Sequence, residues 1–466
     1  MSHAEDLHRK AQHPAAGATD AVIGFVGKLS HAALSEEVRH YARRHLLDTV
    51  GVMIAGAGGE IATSAETMIA SVRPAGKIPV PGRARRADLL DAAFLGGTAA
   101  HGIELDDGYR IGSAHCGCVV IPAALSVGYE RNVSGAALIE AVVAGYETNI
   151  CLARACAPDL RHRGFHPTSA VGPFGAAVAT GKLRGLNATQ FANALGIAAS
   201  SSAGLFAFVA GGGDIKRLHA GHASREGVQA ALLAEQGVEG PPNVVEGRDG
   251  FMQAFAFGRI DKARPITLPP QAEFGITDCY IKPYACCRHI QPAVEATFQL
   301  LNDEKVKFED IKRIEVETYK IAAEHAHVPW DSFANAQLSF PYLVGLAARY
   351  RGVRFEHFDD KTRSDPAFAE FADKLTVTAP AEIDQLYPRL RPARVTVHTN
   401  TGTFVRQADE AWGSRIVPLD DDGLIAKFHD LVTPVYGEAR AKQLSERLWN
   451  IESLKDAAPL IEALAR

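Results

Sequence analysis

Between Ala21 and about Gly258 the apolar residues recur at helical spacing in one segment after another, and no stretch alternates with the period of two that a half-buried strand requires. The clearest case begins at Ser35, a residue type that caps helices, followed by Glu36 and Glu37 at the positive end of the helix dipole. Val38, Tyr41, Ala42, Leu46, Val50 and Met53 then share one face, and the pattern stops near Gly56. Similar patterns cover 88–100, 134–155, 189–199 and 222–236. The polar opening stretch, up to about residue 20, reads as a frayed arm.

The texture then changes. Pro265, Pro269 and Pro270 break any helix and mark a linker over 265–270. In 311–319, Ile314, Val316 and Thr318 alternate with Arg313, Glu315 and Glu317, as in a strand with one buried face. Segments 375–379 and 394–399 look alike, and Asn400-Thr401-Gly402 offers a turn into 403–407, which predicts a hairpin. Helical patterns at 290–302 and 339–349 sit among these strands, and 424–466 is amphipathic helix again. The expected fold class is mainly α with an inserted α+β domain. A large helical domain would use 1–269 and 413–466, and a smaller mixed lid domain would occupy 270–412.

A chain of 466 residues with 47% hydrophobic and 22% charged residues is neither disordered nor a disulfide miniprotein. A net charge of -5 lacks the basic field of a nucleic-acid binder. The seven cysteines have no disulfide rhythm and the first residues no basic-then-apolar signal, so reduced thiols and a cytoplasmic location are expected. The segment Gly185–Gly213 has no charged residue, but its Asn187, Gln190, Asn193 and Ser200-Ser201-Ser202 favour buried soluble helices over a membrane span. Three motif readings fail. Gly175 to Lys182 has the wrong glycine spacing for a phosphate loop, and Gly56 to Gly59 follows a helix rather than a strand. His115-Cys116-Gly117-Cys118 lacks zinc-site spacing and reads as small buried thiols, so no metal is expected.

Four segments gather ionisable groups among small, turn-prone residues. The first runs from His101 through Glu104, Asp106, Asp107 and Gly108 to His115, where a carboxylate can orient a histidine. In Arg163-Gly164-Phe165-His166-Pro167-Thr168-Ser169, Pro167 keeps His166 out of α geometry, and Thr168 or Ser169 is expected to cap the helix that follows. Gly211-Gly212-Gly213-Asp214-Ile215-Lys216 reads as a glycine-rich approach to a lysine able to anchor a carboxylate. In Lys282-Pro283-Tyr284-Ala285-Cys286-Cys287-Arg288-His289, the fork of Arg288 matches a carboxylate, while nothing independent pairs Cys287 with a base and it reads as a structural or lining thiol.

These segments, in this order and together with Ala336-Gln337-Leu338-Ser339-Phe340-Pro341-Tyr342, resemble the MmgE/PrpD family. Family activities include dehydration of 2-methylcitrate, decarboxylation of cis-aconitate and epimerisation of iminodisuccinate. The resemblance implies a homodimer that acts on a small polycarboxylate with no metal or organic cofactor. It places His115, His166, Lys216 and Tyr342 on active-site positions; from the residues themselves, Glu104, Asp106 or Asp107 is expected to orient His115. Lys216, Arg288, Cys287 and His101 would line or bind the substrate. Glu104 stands where many members carry Asp, and Cys287 where the decarboxylase carries His. The implied activity is a lyase acting beside a carboxylate. An epimerase or isomerase of a dicarboxylate is the alternative, and a non-catalytic carboxylate-binding protein a third reading.

Overall fold

The computed structural model describes residues 17–208, 213–258, 266, 268, 274–387 and 389–466. Most of the expected arm, most of the 265–270 linker and two of the three glycines before Asp214 lie outside them. The described residues are mainly helical, with two small sheets. They fall into two compact units: Met1–Gly102, Asp106–Tyr280 and Asp420–Arg466 form the first, and Ile103–Leu105 with Ile281–Leu419 form the second.

The first unit is built on helices α1 (Ala18–Lys28), α2 (Glu36–Gly56), α3 (Glu60–Val72), α4 (Leu89–His101), α5 (Gly117–Arg131), α6 (Gly135–Cys156), α7 (Pro167–Arg184), α8 (Ala188–Ser200) and α9 (Ile215–Glu235), besides shorter turns. Ser35 caps α2 by accepting from the Val38 amide, and Ser134 caps α6 by accepting from Ala137. Helix α6 is long and apolar enough to cross a membrane by composition, but 83% of that window is buried, as in a core helix. In the charge-free segment after Gly185 the 13-residue α8 is opened by an Asn187–Gln190 capping box.

Close backbone approach joins α4, α7 and α9. A Cβ on Gly97 would lie 2.8 Å from the Gly221 Cα, and one on Gly227 would lie 2.4 Å from the Ala176 Cβ, so any larger residue would force these helices apart. Helix α9 starts seven residues earlier than the apolar period implies, because its first two turns carry Lys216, Arg217 and His219 instead of a continuous stripe. The expected strand-free N-terminal half needs one correction. Gly108–Tyr109 (β1) pairs antiparallel with Cys279–Tyr280 (β2) and ties the loop after α4 to the end of this unit. At these two short strands there is no run long enough for alternation to show.

The second unit holds a four-stranded sheet of β3 (Arg313–Thr318), β4 (Leu375–Thr378), β5 (Ala393–His398) and β6 (Thr403–Ala408), in the order β4-β3-β5-β6. β3 and β4 run parallel, while β5 and β6 form the predicted antiparallel hairpin. In β3, Ile314, Val316 and Thr318 are buried, as their alternation requires. Helix α10 (Gln291–Asp303) packs on β5 and β6, and α11 (Phe340–Tyr350) packs on α10. The chain then returns to the first unit, where α12 (Asp421–Tyr436) lies on α2 and the Lys427 ammonium donates to the buried Asp48 carboxylate at 2.6 Å.

Candidate active site

The three glycine-packed helices of the first unit deliver histidines to one place. His101 ends α4 and is fully buried. His166 is the N-cap of α7, with Pro167 at the first helical position, where its missing N–H costs nothing. The expected cap by Thr168 or Ser169 is therefore corrected: the Thr168 hydroxyl accepts the His115 backbone N–H at 3.1 Å instead. Lys216 and His219 stand on the first turns of α9, three residues apart and so on one helix face, rather than in a glycine loop. Arg217, also buried, donates to the Gly102 carbonyl at 2.9 Å and pins the turn that follows His101.

The side chains form a row of four imidazoles. His115 and His101 have ring centroids 5.1 Å apart, His101 stacks on His166 at 5.7 Å, and His166 meets His219 at 5.1 Å. One Asp106 oxygen lies 2.7 Å from His101 Nδ1 and 3.1 Å from His115 Nδ1. The Asp107 carbonyl lies 2.5 Å from the same His115 nitrogen. With two acceptors facing it, His115 Nδ1 carries the proton, which leaves Nε2 for proton exchange. Burial, with help from Lys216 and His115, pushes His101 down to about 3 despite Asp106. Burial likewise holds His166 well below its usual range, with His101 and His219 adding repulsion, and takes His219 down to about 4. At neutral pH these three rings are uncharged. Phe206 and Phe208 close round His166, at 5.6 and 5.3 Å between centroids.

Asp107 points its carboxylate elsewhere. It accepts from the Gly117 amide at 2.9 Å and the Tyr146 hydroxyl at 2.7 Å, and it lies 3.0 Å from His45 Nδ1. Of the three acidic candidates, then, Asp106 orients His115 by its side chain and Asp107 by its backbone. Two triplets among the described residues offer ligand atoms within 4.8 Å of one another: His101, Asp106 and His115, and His45, Asp107 and Cys279. In both, the imidazole nitrogens already face carboxylate oxygens. Cys116 and Cys118 are buried thiols.

The other candidates belong to the second unit. Glu104 adopts a left-handed φ of 57°, uncommon for a residue with a side chain. Its partner is Lys282, whose Nζ donates to the Glu104 carbonyl at 3.1 Å and to its carboxylate at 3.2 Å, both residues being buried. Arg288 spends its fork on its own unit: it donates to Gln291 Oε1 at 2.7 Å, to the Trp412 carbonyl at 2.6 Å and to the Ala411 carbonyl at 2.7 Å. Tyr342 is buried against Trp330, Phe358 and Phe368, and its hydroxyl donates to the His357 carbonyl at 2.5 Å. Cys287 lies 3.8 Å from His325 Nε2.

Sequence reasoning left out His219, Lys282 and His325. His219 carried a signal, its three-residue spacing from Lys216 on a helix. Lys282 stood in a segment already singled out, but its pairing with Glu104 and that of His325 with Cys287 carried no signal, because the partners are 178 and 38 residues away.

The family model of the MmgE/PrpD N-terminal domain matches residues 21–262, and that of the C-terminal domain matches 284–451. The chain is 26% identical to a cis-aconitate decarboxylase of Aspergillus terreus, over 96% of each chain. It is also 26% identical to the cis-aconitate decarboxylases of Mus musculus and Homo sapiens, over 96% of this chain and 93% and 94% of theirs.

Proposed function

Because the chain belongs to the MmgE/PrpD family, we propose that it is a lyase acting at the carbon beside a carboxylate of a small di- or tricarboxylate, with decarboxylation of a cis-aconitate-like acid as the first reaction to test. The observation that carries this reading is similarity to cis-aconitate decarboxylases along 96% of the chain. The cluster of Asp106, His101 and His115 under the charge of Lys216 supplies suitable chemistry.

When a carboxylate leaves as carbon dioxide, its electron pair stays on the adjacent carbon and spreads into a remaining carboxylate. Such a carbanion is unstable in water and needs fixed positive charge. Lys216 supplies it; removing a comparable donor from an active site typically costs about 3–4 kcal/mol of barrier. His115, held by Asp106 and the Asp107 carbonyl through Nδ1–H, enters this step with a second proton on Nε2, gives that proton to carbon and is left as the neutral ring.

Dehydration of a hydroxy-polycarboxylate is the second reading. It needs two proton transfers, and the cluster holds two differently tuned histidines: His115 on a carboxylate, and His166 kept neutral beside His219. The test is proton NMR of the EDTA-treated protein in deuterated water with citrate-, aconitate-, malate- and aspartate-type acids. Carbon dioxide release with deuterium at the product carbon is expected. Loss of hydroxyl with new alkene signals would transfer the assignment to a dehydratase, and deuterium wash-in at an inverted centre to an epimerase. No change in any acid would sink the lyase reading. His115→Ala and His166→Ala should each lower turnover at least about a hundredfold with unchanged circular dichroism.

A further inference from the structure

All seven cysteines lie among the described residues, and Cys287 is the one that is not fully buried. The segment after Ser332 builds its surroundings. The Cys287 amide donates to the Gln337 carbonyl at 2.9 Å, and the Phe340 amide donates to the His325 carbonyl at 3.2 Å, so both partners hang on one short stretch of chain. The Gln337 side chain is itself buried and donates to the Ala285 carbonyl at 3.0 Å. The result is a sulfur 3.8 Å from His325 Nε2, on a ring only 7% exposed.

The surrounding charges favour a thiolate facing an imidazolium. Burial opposes ionisation of Cys287, but the charge and hydrogen bond of His325, the His289 amide and Lys282 outweigh it and draw the thiol down to about 6. Burial also opposes charge on His325, yet Cys287, Glu324 and the Leu338 carbonyl raise it. Burial pushes the neighbouring Cys286 up to about 12, and Cys118, Cys151 and Cys279 rise for the same reason.

We propose that Cys287, activated by His325, is a covalent modification site that reacts selectively with small hydroperoxides. The Cys287 sulfur attacks the terminal peroxide oxygen, an S–O bond forms as the O–O bond breaks, and His325 gives its proton to the departing oxyanion. Sulfur is oxidised by two electrons to a sulfenic acid, while the peroxide is reduced to water or an alcohol.

The test uses the full chain with a small excess of hydrogen peroxide and dimedone, a trap for sulfenic acids, followed by peptide mapping. The expected result is an adduct on Cys287 at least about tenfold above that on any other cysteine at pH 6.5, where an ordinary thiol near 8.5 is about 1% ionised. His325→Gln should lower Cys287 labelling about tenfold or more at pH 6.5, with the loss shrinking as the pH rises and hydroxide ionises the buried thiol in place of His325. Thiolate absorbance near 240 nm, compared between the unaltered chain and Cys287→Ser, gives the titration independently. Labelling spread evenly over several cysteines, an unlabelled Cys287, or a Cys287 titration centred near 8.5 would overturn the assignment.

Discussion

His166 and His219 meet through their Nδ1 atoms at 3.0 Å, so one ring donates the single proton between them and the other accepts it. That arrangement accepts one further proton on the pair but not two, because with both rings doubly protonated two N–H groups would point at each other. The pairing and the burial push in the same direction.

Acid should therefore weaken the fold. An unfolded histidine takes up a proton near pH 6.5, whereas in the folded chain His219 does so near 4 and His101 near 3. Between these values the unfolded state binds more protons, so stability falls as the pH drops from about 6.5 towards 4. Each histidine kept neutral adds roughly 1.4 kcal/mol per pH unit to that slope. Urea denaturation at pH 7.5, 5.5 and 4.5 reads it, and His101→Gln should flatten the slope by about one proton. An unchanged slope in that variant would mean that His101 is protonated in the native protein.

Asp106→Asn keeps the shape of the side chain but removes the charge that two histidines share. Turnover should fall by about a hundredfold or more, in the range of an acid/base contribution. The pH profile of kcat should also shift, which loss of packing alone would not cause. A steady-state profile close to that of the unaltered chain would release Asp106 from any role in orienting His115.

Glu104 and Lys282 form a buried pair, and removing one partner of such a pair typically costs about 3–5 kcal/mol. Glu104→Gln and Lys282→Met should each destabilise strongly, and the double variant should lose less than the sum of the two. Thermal denaturation of all four proteins gives the coupling energy. Additive losses would show that the two side chains do not stabilise each other.

Arg288→Lys separates anchoring of the chain from binding of substrate. Lysine cannot reproduce a fork that reaches Gln291, Ala411 and Trp412 together. A fall in Tm with KM unchanged is expected. A raised KM at unchanged Tm would assign Arg288 to the substrate.

Much of the secondary structure was readable in advance because its signals are local. Ser35 and Ser134 cap the helices that their positions announce, and the alternation in Arg313–Thr318 gives the strand and its buried face. Local signals also misled. Lys216 and Arg217 interrupt the apolar stripe that marks a helix, yet both lie inside α9, because glycines at its contacts with α4 and α7 let small-residue packing replace a stripe.

The residue types that carry the chemistry, and the segments that bring them, were legible in the amino-acid order itself. Partnership was not. Three acidic residues within four positions looked interchangeable, but the fold gives Asp106 to His101 and His115, Asp107 to Tyr146 and the Gly117 amide, and Glu104 to Lys282. Consecutive side chains of a loop point in different directions, and each then takes whatever distant element packing has brought there. Spacing along the chain encodes which face of a helix or strand a residue occupies; only the closed packing of those elements decides which buried charge it meets, because leaving one unmatched costs several kcal/mol.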